Sequence, residues 1–362
     1  MGKELAEPDW APLSDLEVRS VLASFAVPQA ASAVVSWRSP RPMSAAGLVR
    51  CGAESLFLKR HHRRVRSAEQ LRAEHAVMSW FRSHDQPVPR ALPTTGGDTV
   101  FRRGSYRYEV STVAGGVDRY RDAVSWSPYL SLAHAFAAGS ALARLHVAAS
   151  GCPLPARPPA VLTNSCAVLC ASDPVLAVSD LIAARPGVAA YLAGRPWRAE
   201  VLPALVRAAP LAGALPPLWG HGDWHPSNLT WTSAGNDADV AGVFDFGLAN
   251  LTFAVHDLAI ALERSVVDWL DLADAGRVVA DYPAAAALLG GYQSVRPLEP
   301  AELAALPAIL PVAQLEYAIS EIEYFTDVVP SPDNAELAYE FLVGHPRWFA
   351  SDDGQDFLAR LR

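Results

Sequence analysis

Asp223, Asn228 and Asp245 are the residues of this chain whose types and spacing could do chemistry. The first two sit in His221-Gly222-Asp223-Trp224-His225-Pro226-Ser227-Asn228, and the third opens Asp245-Phe246-Gly247, seventeen residues past Asn228. Between them, apolar Leu229-Thr230-Trp231 and Val240-Ala241-Gly242-Val243-Phe244 flank a polar turn from Ser233 to Asp239. That is a hairpin pattern, and it predicts that Asp245 returns beside Asn228. Two carboxylates and an amide oxygen at one end of a hairpin suit a hard divalent cation such as Mg2+, which prefers oxygen ligands and keeps several waters. A spare carboxylate at Asp223 could then accept a proton from a hydroxyl. Those are the parts needed for phosphoryl transfer from a nucleotide. Each piece alone is an ordinary turn or loop; it is their joint order and strand-like flanks that point to a phosphotransferase site.

Residues 221–228 match throughout the pattern His-Gly-Asp-x-His-Pro-x-Asn, and Asp-Phe-Gly follows. Here the sequence resembles the aminoglycoside phosphotransferase and choline kinase-like family, relatives of the protein kinases. The resemblance covers about residues 30–270 and is strongest over 221–257. It implies a two-lobed kinase-like α+β fold, Asp223 as catalytic base, and Asn228 and Asp245 as the residues that hold Mg2+ against the phosphates of ATP. His225 and Pro226 read as loop-shaping, His146 as a satisfied core histidine, and Asp257 as a cap or loop anchor.

The elements that must position these groups lie upstream. The chain has 28 arginines but only two lysines, Lys3 and Lys59. Lys3 falls in a tail, whereas Lys59 ends the strand-like run Ser55-Leu56-Phe57-Leu58. A lysine kept in an arginine-rich chain suggests that a compact ammonium is needed where a planar fork will not serve. The family resemblance agrees, placing a nucleotide-phosphate lysine at the end of the third strand. Ser67 and Gln70 form a capping box, opening a helix to about Arg82. Leu71, Glu74, Met78 and Phe81 share one face of it. A carboxylate on that apolar stripe needs a cation, and Lys59 is the expected partner of Glu74. Glu69 points elsewhere.

Ala33 to Trp37 and Leu48 to Cys51 read as strands around a turn from Pro40 to Gly47. In a kinase-like lobe that turn covers the nucleotide. Ser44, Ala45, Ala46 and Gly47 are small enough to let backbone N–H groups approach phosphate, with Ser44 the candidate contact, although the run departs from Gly-x-Gly-x-x-Gly. After strands Thr99 to Arg103 and Tyr106 to Ser111, a hinge is expected over Glu109 to Gly116, with the backbone near Glu109 and Ser111 meeting the adenine edge. The expected lobes are 1–112, sheet-rich and nucleotide-binding, and 113–362, mostly helical, catalytic and substrate-binding. Pro- and Ala-rich residues 151–219 are expected to shape the acceptor pocket, with helical pieces at about 174–184 and 197–208. In the long apolar stretch Glu302 to Asp327, Glu316, Ser320 and Glu323 share a face, read either as a solvated face or as an acidic wall for an amine on the acceptor. The tail from Asn334 is helical again, anchored by Trp348 and Phe349.

Composition narrows the rest. A chain of 362 residues that is 51% hydrophobic can bury a sizeable core. A formal net charge of −8 argues against nucleic-acid or anionic-membrane partners. The four cysteines show no paired metal spacing, and no uninterrupted apolar run reaches the ~18 residues of a membrane span. With no signal-peptide core at its start, the chain is expected in the cytoplasm. Oligomeric state is not legible. The expected activity is ATP- and Mg2+-dependent transfer of a γ-phosphoryl group to a small-molecule hydroxyl, on an antibiotic, amino alcohol or sugar. GTP as donor, a Ser or Thr of a peptide as acceptor, and a nucleotide-binding scaffold with little activity stand as alternatives.

Overall fold

The computed structural model describes residues 8–269 and 278–361, so the expectation for Lys3 falls outside the described residues. After helix α1 (Asp15–Leu22), strands β1 (Val34–Arg38), β2 (Ala45–Cys51) and β3 (Glu54–His62) lead to helix α2 (Ala68–Ser83). Strands β4 (Phe101–Arg103) and β5 (Tyr106–Thr112) complete an antiparallel five-stranded sheet of order β1-β2-β3-β5-β4. Alternation along β3 decides what faces the cleft. Leu56, Leu58 and Arg60 are buried on one side, while Phe57, Lys59 and His61 point to the other. On the buried side, Val49, Leu56, Leu58, Tyr108 and Val110 pack with Val18, Val21 and Leu22 of α1 as a small core of their own. Arg60 enters that core with its charge met by Glu17 at 2.7 and 2.9 Å.

Helix α2 begins where its sequence says it should. Ser67 Oγ accepts from the Gln70 N–H at 3.2 Å, and Gln70 Oε1 accepts from the Ser67 N–H at 2.9 Å. Leu71, Glu74, Met78 and Phe81 are all buried on its inner face.

Four residues then link the lobes. Val113 to Gly116 cross over, and Val117 pairs with Trp231 of the larger lobe through two backbone hydrogen bonds of 2.7 and 2.9 Å. Gly116 has φ +89°, and a Cβ there would sit 2.6 Å from both Ala241 and the Trp231 carbonyl, so only glycine fits this crossing.

The larger lobe contains helices α3 (Leu132–Ala149), α4 (Pro174–Ala183), α5 (Pro186–Leu192) and α6 (Trp197–Ala212). Short strands β6 (Leu218–Gly220), β7 (Leu229–Trp231), β8 (Val240–Val243) and β9 (Asn250–Thr252) follow. β7 and β8 form the expected hairpin, and β6 pairs with β9. Helix α7 (Ala254–Val266) is buried along its whole length. Helices α8 (Tyr282–Val295), α9 (Pro300–Ile309), α10 (Leu315–Glu323), α11 (Pro332–Ala350) and α12 (Asp352–Arg360) close the lobe. The long apolar stretch from 302 to 327 is interrupted. Pro311, which lacks an N–H, sits in the break after α9, and a wide turn, Tyr324–Val328, ends α10. By length and composition Pro300–Val328 could cross a membrane, but 78% of its apolar window is buried inside the protein, the pattern of a core helix.

Candidate active site

The loop from His221 to Asn228 is held from below by Asp257 of α7. Its carboxylate accepts from the backbone N–H groups of His221 and Gly222, both at 2.7 Å, and from His146 Nε2 at 3.0 Å. Burial opposes ionisation of Asp257, but these donors outweigh it and hold the carboxyl at about 2. The anchor role expected for Asp257 is what the geometry shows. Gly222 has φ +74° with its Cα against the Leu248 carbonyl, a turn closed to other residues. His225 is loop-shaping: burial, then the field of Arg41, holds its ring neutral with a pKa of about 3.

Asp223, next along the loop, is reached from three sides. Arg264 of α7 forms an ion pair with its Oδ1, His225 Nε2 lies 3.4 Å from the same oxygen, and Asn228 Nδ2 donates to Oδ2 at 3.1 Å. Arg264 is buried to 1% exposure between the rings of Trp126 and Tyr317, 5.0 and 5.1 Å away, and donates to Gln314. The sequence reading missed it. The signal was there: Arg264 lies seven residues past Asp257 on one helix, which puts both on the same face.

The Asn228 amide nitrogen is committed to Asp223, donating to its carbonyl at 2.9 Å as well as to Oδ2, and Asn228 and Asp245 border the same space. The hairpin makes this possible: the Phe244 N–H donates to the Asn228 carbonyl at 3.1 Å, and Asp245 follows. Asp245 stands in the left-handed region, φ 60° and ψ 68°, uncommon for a non-glycine residue and a conformation that Asp adopts more readily than most. Lys59 Nζ donates to Asp245 Oδ1 at 3.0 Å. Burial works against both charges, yet their attraction wins: the ammonium is raised and the carboxyl falls to about 2. An amide oxygen and a carboxylate are donors that a hard cation takes.

Several expected contacts are different. Glu74 is buried on α2 as predicted but does not pair with Lys59. Its Oε2 lies 3.4 Å from Arg157 Nη2 instead. Arg157 also donates to the carbonyls of Phe246, Gly247 and Ala249 at 3.0–3.1 Å, and Arg66 donates to those of Val161, Leu162 and Gly247. Two buried guanidinium groups thus occupy the space between α2 and the Asp245 loop, and Glu74 answers the nearer one. No periodicity in the Pro- and Ala-rich segment around Arg157 announced this.

The hinge also starts later than expected. Glu109 and Ser111 lie within β5, paired with Lys59 and Phe57 of β3. On the strand's other edge, Leu92 N–H donates to Val110 and Thr112 N–H to Arg90. With both edges taken, this backbone cannot serve a nucleobase, and the open stretch beyond it is Val113 and Ala114, since Thr230 Oγ1 donates to the Gly115 carbonyl. The Glu109 side chain is held by His61 at 2.9 Å and His75 at 2.6 Å. Ser44 is displaced too. Since β2 begins at Ala45, the covering turn narrows to 39–44, and Ser44 borders a different chamber from the one that Ser39 and Pro40 face.

There are two chambers. The first lies between the lobes and is lined by apolar Trp37, Leu48, Phe57, Met78, Ala91 and Phe244, by Val113 and Ala114, and by Lys59, Asn228 and Asp245. Flat apolar walls beside a free backbone hinge suit a planar base. The second is bounded by Arg41, Ser44, Arg66, Trp126, Asp223, Arg264 and Tyr317. Lys59, Arg41, Asn228 and Asp245 border both, and Asp223 borders only the second. The acidic wall on α10 is not part of either. Glu316 accepts from the Val168 N–H at 2.8 Å and from Ser165, Ser320 contacts Thr163 and Ala160, and Glu323 pairs with Arg185 at 2.8 Å. These groups hold the 160–185 segment, so the reading of them as an amine-recognising wall is corrected.

The sequence model of the phosphotransferase enzyme family matches residues 47–298. A homoserine kinase of Gluconacetobacter diazotrophicus is 28% identical over 298 residues, 80% of this chain and 79% of that protein. Among solved structures, a microcompartment-associated aminopropanol kinase superposes with a TM-score of 0.63 at 18% identity, over 93% of this chain and 97% of that one. An amicoumacin kinase in complex with AMP-PNP and Ca2+ gives 0.61 at 15% identity, over 95% and 97%. The two-lobed kinase-like α+β fold is shared with these proteins.

Proposed function

The chain belongs to the phosphotransferase enzyme family, and from that premise we propose that it transfers the γ-phosphoryl group of ATP, with Mg2+, to a hydroxyl of a small carboxylate-bearing acceptor. The observation that carries this reading is the meeting of two chambers at Lys59, Asn228 and Asp245, with Asp223 facing only the second. Nucleotide fits the first chamber and acceptor the second. Asn228 and Asp245 would hold Mg2+, whose chemistry when bound is to neutralise charge on the phosphate oxygens. Lys59 adds a further cation there. Asp223 orients the acceptor hydroxyl and takes its proton. The hydroxyl oxygen forms the new bond to the γ-phosphorus, the bond from that phosphorus to the bridging oxygen breaks, and its electron pair leaves with ADP.

The acceptor class follows from charge. Among the described residues, Asp223 and Asp245, which the chemistry uses, are the only carboxylates lining the second chamber, whereas Arg41, Arg66 and Arg264 line it too. An amine would have to share the two carboxylates that the chemistry uses, whereas a carboxylate would meet cations. The homoserine kinase name carried by the relative is consistent with a small hydroxy amino acid. The test is incubation with ATP and Mg2+ and a panel of hydroxy acids including homoserine, amino alcohols and aminoglycosides, read by mass spectrometry as gain of one phosphate. Phosphorylation of the hydroxy acids is expected. Gain of phosphate only on acceptors that lack a carboxylate would overturn the acceptor class.

A further inference from the structure

Kinase-like folds grip phosphate with backbone N–H groups of a glycine-rich turn. The covering turn here, Ser39-Pro40-Arg41-Pro42-Met43-Ser44, has few such donors left. Pro40 and Pro42 have no N–H to give, and the N–H of Arg41 is taken by Ser39 Oγ at 3.3 Å. What the turn does extend is the Arg41 side chain. Its guanidinium donates through Nη2 to the Ala123 carbonyl at 3.1 Å and, among the described residues, makes no other hydrogen bond and no ion pair. A guanidinium carries five donors in a planar fork, so most of them are uncommitted. Arg41 borders both chambers, as do Lys59, Asn228 and Asp245. Arg41 also lines the second chamber together with Asp223 and His225 of the 221–228 loop.

We infer that Arg41 binds the terminal phosphate of the nucleotide, its fork replacing the backbone donors that the two prolines remove. The inference rests on the nucleotide reading above. A planar fork matches two phosphate oxygens at once, and its place at the seam between chambers is where the γ-phosphate must be presented to the acceptor. Pro40 and Pro42 then have a use: fixed φ on both sides keeps the side chain aimed with little entropy to lose. Arg41 is in this sense a catalytic residue, since it touches the group being transferred.

The experiment is calorimetric titration of AMP-PNP, ADP and AMP, each with Mg2+, into the wild type, Arg41→Ala and Arg41→Lys. Charge-assisted hydrogen bonds of this kind correspond to roughly ten- to a hundredfold in affinity. Arg41→Ala should lose about that factor for AMP-PNP while AMP binds as before, AMP serving also as proof of an intact fold. Arg41→Lys should recover only part, because a point charge lacks the fork. If the wild type prefers AMP-PNP to ADP and Arg41→Ala keeps that preference, the assignment of Arg41 is overturned and the nucleotide reading stands. If the wild type binds none of the three, both fall together.

Discussion

A carboxylate that must accept a proton in a half-closed pocket is useful only if its charge stays in place. Asp223 is held by Arg264, His225 and Asn228, so replacing it with Asn preserves shape and removes charge. Asp223→Asn should lower kcat by roughly 10²–10⁴-fold, the usual range for loss of a general base, with ATP affinity nearly unchanged. The base matters once the hydroxyl attacks phosphorus, not while ATP simply occupies its chamber. Steady-state kinetics paired with ATP titration checks this, and a parallel loss of ATP binding would mean that Asp223 is structural. Asp245→Asn should abolish Mg2+-dependent turnover and leave the protein folded; wild-type turnover at saturating Mg2+ would remove Asp245 from the site. That Asp223, Asn228 and Asp245 would come together was legible in the sequence because type and spacing are set over a short span. The partner of Lys59 was not. Helical periodicity put Glu74 on the right face, but which cation answers a buried acid depends on chain that arrives from elsewhere, here Arg157.

That arginine belongs to the scale of elements, since it ties α2, the loop after Asp245 and the segment after α3 together. Arg157→Ala would leave three carbonyls and the Glu74 carboxylate buried with lost donors. Removing one partner of a buried pair costs more than the pair contributes, about 3–5 kcal/mol. A clear drop in thermal midpoint is expected, with part of it recovered in the double variant that also carries Glu74→Gln, because the stranded charge is gone. Strict additivity of the two losses would show that they do not act as a pair. Most elements could be read from local signals: the capping box marked α2, the turn from Ser233 to Asp239 marked the hairpin, and the apolar run before Lys59 marked β3, although the strand continues past Lys59 to His62. The hinge was misplaced because the partners of β5 are distant in sequence. Its pairing with β3 crosses α2, and its other edge meets residues 90–92, so nothing local tells where the strand stops. The prolines of the 300–328 stretch did signal a break, and an apolar pattern that continues through it masked them.

Across the whole molecule, buried charge gathers beneath the catalytic loop. Arg264 meets Asp223 above, and Glu263 below is met by Gln314 and by His345 at 2.8 Å. Glu321 on α10 faces the same group of side chains but has an oxygen with no hydrogen-bond partner among the described residues. Burial raises its pKa from 4.5 to about 7, Arg264 and His345 opposing the rise. The sign of its effect on stability follows. Between pH 4.5 and about 7 the unfolded chain has Glu321 ionised while the folded chain keeps it protonated. The folded state therefore binds more protons, so raising the pH through this window favours unfolding, and the loss levels off above it. Glu321→Gln keeps the shape and removes the titration. Relative to wild type, the variant should show little difference near pH 4.5, gain stability as pH rises to about 7, and hold a constant advantage beyond, roughly 1–3 kcal/mol by linkage. Taking the difference between the two proteins cancels the contribution of Glu316, which is also raised to about 7, and those of the buried histidines. Denaturant unfolding at a series of pH values measures it. A difference that is the same at every pH would assign the effect to packing, and a variant that loses stability as pH rises would mean that Glu321 is ionised in the fold and is paired with Arg264.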